Sequence, residues 1–190
     1  PFSWYTKKEK FTNKEWEEKT AWIKKQIQVM DCDVIGFQEV FSKDALKDLL
    51  FELGFKYFKT IDNAKLDKKN ESVYISTTVA LASKFPIKNL KKVQIDFSTL
   101  KKHNVKGFFK FAREPIKATI ILPNQLEISL YVCHLKSNRE NEFEYIFTKD
   151  EKLEDKLKKV KTALENNYSM SLKQRLCEAS SLFSDIKRNN

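Results

Sequence analysis

Glycine, proline and cysteine are all scarce in this chain of 190 residues, which contains 3 glycines, 4 prolines and 3 cysteines. So few glycines and prolines, beside 15 phenylalanines, exclude a collagen-like chain, a Gly/Ser linker and a disordered low-complexity protein. Apolar runs, such as 120–123 and 130–133, reach only about four residues, whereas a bilayer-spanning helix needs about 20. The sequence therefore predicts one folded domain without a transmembrane segment.

The cysteines, Cys32, Cys133 and Cys177, are odd in number and form no C-x-x-C pair. A structural zinc site and a dithiol redox motif are therefore not indicated. We expect three buried thiols, which favours a reducing, cytoplasmic environment. Because a signal peptide could have been removed before Pro1, the localisation stays open.

The motifs of several common enzyme classes are also missing. The sequence contains no G-x-S-x-G elbow, no Gly-rich phosphate loop and no H-E-x-x-H pair. These absences argue against serine hydrolases, P-loop enzymes and zinc hydrolases.

Helix and strand patterns alternate in the first third of the chain and then give way to strands. A capping box at Thr12-x-x-Glu15 opens the first helix. The predicted elements are helices at 12–30 and 42–53 and strands at 33–40, 55–59, 73–83, 93–97, 108–112, 116–122 and 128–133. Two further amphipathic helices follow, with apolar stripes at Leu153, Leu157, Val160 and Leu164 and at Leu172, Leu176, Ala179, Phe183 and Ile186. Successive strands predict largely antiparallel pairing.

Positive charge is concentrated in the middle of the chain. Residues 84–139 hold 12 basic and 3 acidic side chains, a net charge of +9, while the whole chain carries +10. Such a segment attracts a polyanion or a phosphate ester with a salt-dependent affinity, although a solvated lysine-rich surface has the same composition.

Three polar residues at strand ends are candidates for chemistry. Glu39 ends the predicted strand 33–40, where a carboxylate can hold a hard cation, cap a helix or stay solvated. His134 ends the strand 128–133 and is followed by Lys136 and Ser137, so it can contact a phosphoryl group or serve as a structural histidine. Arg113 precedes a strand and suits bidentate phosphate contact or a salt bridge.

Five motifs in consistent order resemble those of the endonuclease/exonuclease/phosphatase superfamily. They are Asp33-Val-Ile-Gly-Phe-Gln-Glu39-Val40, Thr78-Val-Ala-Leu-Ala-Ser-Lys84-Phe-Pro-Ile87, Arg113-Glu-Pro115, Tyr131-Val-Cys-His134-Leu-Lys-Ser137 and Arg175-x-x-Glu178-Ala179. The resemblance covers about residues 20–187. The resemblance implies an α+β fold of the deoxyribonuclease-like type, a four-layer α/β/β/α sandwich.

The same resemblance implies hydrolysis of a phosphodiester by water with Mg²⁺, or alternatively Mn²⁺, as cofactor. It implies that Glu39 is a catalytic residue and the metal ligand, and that the catalytic His134 contacts the scissile phosphate. The substrate-phosphate ligands that it implies are Arg113, Lys136, Ser137 and Gln38.

Three features usual in that family are absent. They are an Asn on a first strand before the opening helix, a Gly-Asp-x-Asn motif and a terminal Asp-His pair. Thr78 also stands where glycine is usual, and Lys84 where arginine is usual. We therefore expect residues 1–190 to be an N-terminal portion of the domain that binds Mg²⁺ weakly, is inactive alone and self-associates through an uncovered sheet face.

The leading functional hypothesis is a metal-dependent hydrolase of phosphodiester bonds acting on nucleic acid, because the basic segment contains His134. A lipid or small-molecule phosphodiesterase of the same fold is the first alternative. The second is a non-catalytic, basic nucleic-acid-binding or interaction module. A nucleic-acid enzyme should lose affinity steeply with salt.

Overall fold

The structure, a computed structural model, describes residues 12–70, 73–103, 105, 107–137, 150–165 and 170–189. It has a mixed α+β fold with two three-stranded antiparallel sheets. The chain divides into two units, residues 1–92 with 113–134 and residues 93–112 with 135–190. No helix within the described ranges is long and apolar enough to cross a membrane.

The first unit contains both sheets and two helices. The helices are α1 (Asn13–Met30) and α2 (Lys43–Glu52). The first sheet has the order β1-β3-β2, with β1 at Val34–Val40, β2 at Tyr57–Lys59 and β3 at Thr78–Ser83. The second sheet has the order β4-β5-β6, with β4 at Ile87–Lys92, β5 at Ile116–Ile121 and β6 at Glu127–Val132.

Side-chain alternation along β3 explains how this unit is layered. Val79 and Leu81 pack with Ile116 and Val132 in a core between the two sheets. Ala82, on the other face, packs with residues of α1 and α2 in a second core. Because successive strand residues face opposite sides, the first sheet is covered on one face by helices and on the other by the second sheet.

The capping box predicted at the start of α1 is present. The Thr12 hydroxyl accepts from the backbone N–H of Glu15 at 3.2 Å, and the Glu15 carboxylate accepts from the backbone N–H of Thr12 at 2.7 Å. The backbone N–H of Thr12, and then its hydroxyl, donate to the Glu15 carboxylate, favour its charged form and hold the pKa of Glu15 below its ordinary value. The helix predicted at 12–30 is confirmed.

The second unit is helical in its described part. Its helices are α3 (Phe97–Lys102), α4 (Leu153–Glu165) and α5 (Met170–Arg188). The buried face of α5 is largely polar, because Glu178, Ser181 and Asp185 are each no more than 2% exposed. Glu178 and Asp185 accept hydrogen bonds from backbone N–H groups of neighbouring loops, which offsets the cost of burying polar groups.

Two predicted strands are wrong. Residues 93–97 and 108–112 form no strand; instead Asp96 caps α3 and Phe97 begins it, while the actual strand β4 lies at Ile87–Lys92. On the two apolar stripes, Phe183 of α5 is 66% exposed and Leu153 of α4 is 70% exposed, while the side chain of Leu164 lies outside the described residues. Polar residues that pair with backbone groups occupy the buried face of α5 instead.

The expectation of three buried thiols is only partly met. Cys177 is buried, whereas Cys32 and Cys133 are half-buried, and none of these three cysteines forms a disulfide. Burial raises the pKa of the Cys177 thiol, and the nearby Glu178 carboxylate adds to the effect.

Candidate functional site

The end of β1 is distorted at the two residues that the sequence singled out. β1 pairs regularly with β3 as far as Phe37, and a β-bulge then shifts the register by one residue before Val40. Gln38 and Glu39 therefore share one partner position, Val79, whose side chain lies between the two sheets.

The backbone of Glu39 has the left-handed conformation, with φ +54°. Few residues other than glycine adopt it, because the Cβ atom crowds the carbonyl oxygen. Bulges of this kind are frequent beside active sites, where they re-aim a side chain. Here the bulge leaves both Gln38 and Glu39 exposed at the strand end.

A hydrogen bond joins the end of β1 to the end of β6. The Gln38 Nε2 donates to the backbone carbonyl of Cys133 at 2.9 Å. Glu39 directly follows Gln38, and His134 directly follows Cys133. The two residues predicted to be catalytic thus each directly follow one partner of this hydrogen bond.

Arg113 approaches the same edge from β5. Its Nε donates to the Thr77 hydroxyl at 3.0 Å, and Thr77 directly precedes β3, whose first residue pairs with the last residue of β1. The acidic neighbour Glu114 instead pairs with Lys92 at 3.7 Å. The guanidinium of Arg113 is therefore fixed by a neutral hydroxyl, which does not neutralise its charge.

His134 is half-buried, and its Nδ1 atom is buried. The start of β5 lies opposite the end of β6, because Ile116 pairs with Val132. Arg113 lies just before the start of β5, and His134 lies just after the end of β6. Gln38, Glu39, Arg113 and His134 are thus brought to one edge of the first unit.

Lys136 and Ser137 belong to the second unit. The backbone N–H of Lys136 donates to the Glu178 carboxylate at 2.5 Å, and the backbone N–H of Ala112 donates to the other oxygen of that carboxylate at 2.8 Å. Glu178 therefore fixes the loop that follows His134. The phosphate contacts predicted for Lys136 and Ser137 stay predictions.

The donor atoms at the bulge are compatible with a weak magnesium site. Mg²⁺ prefers oxygen ligands and keeps several waters, so few protein ligands can be enough. Glu39 offers an exposed carboxylate, and Gln38 an amide oxygen. Within the described residues, no group of three or more His, Cys, Asp or Glu side chains could hold a metal ion. Glu39 and Gln38 thus fit a largely hydrated cation.

An open apolar groove of about 360 Å³ lies between α1, β1 and α2. Its lining includes Trp16, Trp22 and Phe37, and Gln38 and Glu39 lie on it as well. Trp22 is 62% exposed. An apolar group of a ligand could therefore be accommodated beside the carboxylate of Glu39.

Lys84, although part of the basic segment, lies away from this edge. Its Nζ is 3.0 Å from the Asp33 carboxylate, and this hydrogen bond raises the pKa of Lys84 above its ordinary value. Lys84 follows the end of β3 that pairs with the start of β1, whereas Glu39 lies near the end of β1. The positive charge of Lys84 is thus paired with the carboxylate of Asp33.

Two features of the edge were not anticipated from the sequence. Thr77, which holds Arg113, has no distinguishing pattern around it. Gly36 was a usable signal, because an isolated glycine inside a strand marks a bulge or a close backbone approach. A Cβ added at Gly36 would lie 3.1 Å from both γ-carbons of Val132, so the glycine allows β1 to approach β6.

In comparisons with known proteins, no family model, no curated protein and no solved structure matches this chain.

Proposed function

We propose that this chain carries the metal- and phosphate-binding edge of a metal-dependent phosphodiesterase, a nuclease, with a deoxyribonuclease-like α/β/β/α sandwich. The observation that supports it best is the hydrogen bond from Gln38 to the carbonyl of Cys133. It ties the strand end that carries Glu39 to the strand end that carries His134. Those strand ends are 95 residues apart in sequence, and the motif resemblance pairs the same two side chains.

Each side chain has a distinct chemical task in this proposal. Glu39 holds the divalent cation, which when bound would polarise the phosphoryl group and the attacking water. The imidazole of His134 donates a hydrogen bond to a non-bridging phosphoryl oxygen. Arg113, oriented by Thr77, offsets charge that develops on the phosphate. The fold agrees with a sandwich in the order of its helix layer and its two sheets.

Nucleic acid is the proposed substrate because of the distribution of charge. Residues 84–139 carry a net charge of +9 and include Arg113 and His134. A polyanion gains affinity from such a segment by releasing counterions, which a small neutral substrate cannot do.

We expect residues 1–190 alone to be inactive in hydrolysis. Acid–base assistance contributes about 10²- to 10⁴-fold to such reactions, and the resemblance assigns it to an Asp-His pair that the sequence lacks. Its two histidines are His103 and His134. A binding measurement therefore tests the proposed function more directly than a turnover measurement does.

The experiment measures binding of a hydrolysis-resistant phosphorothioate-linked dinucleotide by NMR titration, with and without Mg²⁺. We expect Mg²⁺-dependent binding that weakens at least tenfold in Glu39→Gln and in His134→Gln. The matched control His103→Gln changes the histidine at the end of α3 and should bind as the unmodified chain does. Binding that is independent of Mg²⁺, or unchanged in both site variants, would overturn the proposal.

A lipid or small-molecule phosphodiesterase is the second candidate, favoured by the apolar groove of about 360 Å³ that touches Glu39. The two candidate substrates differ in how salt affects their binding to the chain. Oligonucleotide binding should weaken steeply between 50 and 200 mM salt, whereas binding of a short-chain phospholipid should hold or strengthen. Trp22→Ser, on the groove, should weaken phospholipid binding alone.

A further inference from the structure

Strands β1 and β6 belong to different sheets, yet they touch at two successive points. Gly36 of β1 leaves space for Val132, whose γ-carbons lie 3.1 Å from where a glycine Cβ would be. Two residues further along β1, the Gln38 side chain donates to the carbonyl of Cys133. Within the described residues, these two strands form no main-chain ladder with each other. These two contacts join the ends of β1 and β6 directly, beside the core that packs between the two sheets.

The bulge makes this spacing important. At Gln38 and Glu39 the regular pairing with β3 is interrupted, and an interrupted ladder holds a strand end less firmly. Glu39 also has the strained left-handed backbone. A side-chain hydrogen bond made at the bulge itself compensates for the interrupted main-chain pairing.

We propose that Gln38 is a positioning residue which, with Gly36, clasps the end of β1 to the end of β6 and so keeps Glu39 and His134 in a fixed relation. This role replaces direct phosphate binding as the function of Gln38. The inference rests on the proposed function, because a fixed relation matters only if both side chains act on one ligand.

The clasp itself is tested by amide hydrogen exchange. Gln38→Met keeps the approximate shape of the side chain and removes its donor. We expect exchange to become about fivefold faster at the ends of β1 and β6, and to stay unchanged in α2. Gln38→Lys, which restores a donor of similar reach, should recover most of the protection. Unchanged exchange in Gln38→Met would overturn the clasp.

A second variant addresses the other contact point. Gly36→Ala should push the two strands apart and raise exchange at the same amides. Gly36→Ala combined with Val132→Ala removes the opposing methyl groups and should restore protection. If the double variant exchanges as fast as Gly36→Ala alone, the close approach is not what holds the strand ends.

Coupling between Glu39 and His134 tests the functional part. In the unmodified chain, Glu39→Gln and His134→Gln should affect dinucleotide binding non-additively, by at least about fivefold. In the Gln38→Met background the same two changes should become additive. Loss of affinity in Gln38→Met with unchanged exchange would identify Gln38 as a phosphate ligand and overturn the proposal. Absence of any dinucleotide binding would instead refute the proposed function, while hydrogen exchange still tests the clasp.

Discussion

At the scale of single residues, Glu39 combines an unfavourable backbone with an exposed carboxylate. Its φ of +54° costs a non-glycine residue roughly 1–2 kcal/mol, whereas glycine adopts it freely but loses about 0.5–1 kcal/mol of chain entropy. We therefore predict that Glu39→Gly raises the free energy of unfolding by up to about 1 kcal/mol, measured by urea denaturation, while it removes the cation ligand.

The matched control is the same substitution at Glu18, an exposed residue within α1. There glycine should lower the free energy of unfolding by about 1 kcal/mol, because glycine is a poor helix former. If Glu39→Gly is destabilising to the same extent, the left-handed backbone is not a strained feature of the fold.

Sequence reasoning placed Glu39, His134 and Arg113 at strand ends because an apolar run that stops at a polar residue is visible locally. It could not place the bulge, since the register of β1 depends on pairing with β3, about 40 residues later in the chain. It also could not foresee that Gln38 would bond to Cys133, a contact 95 residues away.

At the scale of elements, the buried carboxylate of Glu178 on α5 holds two loops of the second unit. It accepts from the backbone N–H groups of Ala112 and Lys136. We predict that Glu178→Ala lowers the free energy of unfolding by about 3 kcal/mol, because both donors lose a charged partner. Glu178→Gln, which still offers one acceptor oxygen, should lower the free energy of unfolding by less. At the exposed Glu154 in α4, Glu154→Ala should change the free energy of unfolding by no more than about 0.5 kcal/mol. Equal losses of stability in Glu178→Ala and Glu154→Ala would contradict the role given to Glu178.

The cap of α3 provides a pH-dependent prediction. Hydrogen bonds from Ser98 and then Ser184 lower the pKa of Asp96 to about 2. Because the folded pKa lies below the unfolded value of about 3.9, Asp96 stabilises the fold above about pH 4, and that contribution is lost as the pH falls towards 2. Asp96→Asn keeps a cap acceptor without the charge. It should be less stable than the unmodified chain at pH 6 and equally stable near pH 2 by urea denaturation; a constant difference would contradict this.

The elements that sequence predicted well are those with a strong local signal. The capping box fixed the start of α1, and alternating or continuous apolar runs located β1, β3, β5 and β6. The prediction was wrong at 93–97, because Asp96 serves as a cap and its apolar neighbours do not continue a strand. The polar buried face of α5 was not anticipated, since Glu178 and Ser181 accept hydrogen bonds from backbone donors in distant loops.

At the scale of the whole molecule, the basic segment places like charges side by side. Lys91 on β4 lies directly opposite Lys117 on β5, an arrangement that opposes folding. We predict that Lys91→Glu raises the free energy of unfolding by a few tenths of a kcal/mol. It should also weaken binding of a 20-nucleotide single strand and flatten its salt dependence, as measured by fluorescence anisotropy.

The exposed Lys14 of α1 offers a control for this experiment. Lys14→Glu makes the same change in net charge outside the basic segment. If it weakens binding as much as Lys91→Glu does, the affinity follows net charge and not the local surface.

The central claim is that Glu39 and His134 act at one site, and the two histidines of the chain allow a direct test. The measurement is paramagnetic broadening of the imidazole proton signals of His134 and His103 by substoichiometric Mn²⁺. We predict that the His134 signals broaden strongly and the His103 signals weakly, and that Glu39→Gln abolishes the difference. Equal broadening of both histidines, or broadening of His134 that persists in Glu39→Gln, would contradict the account.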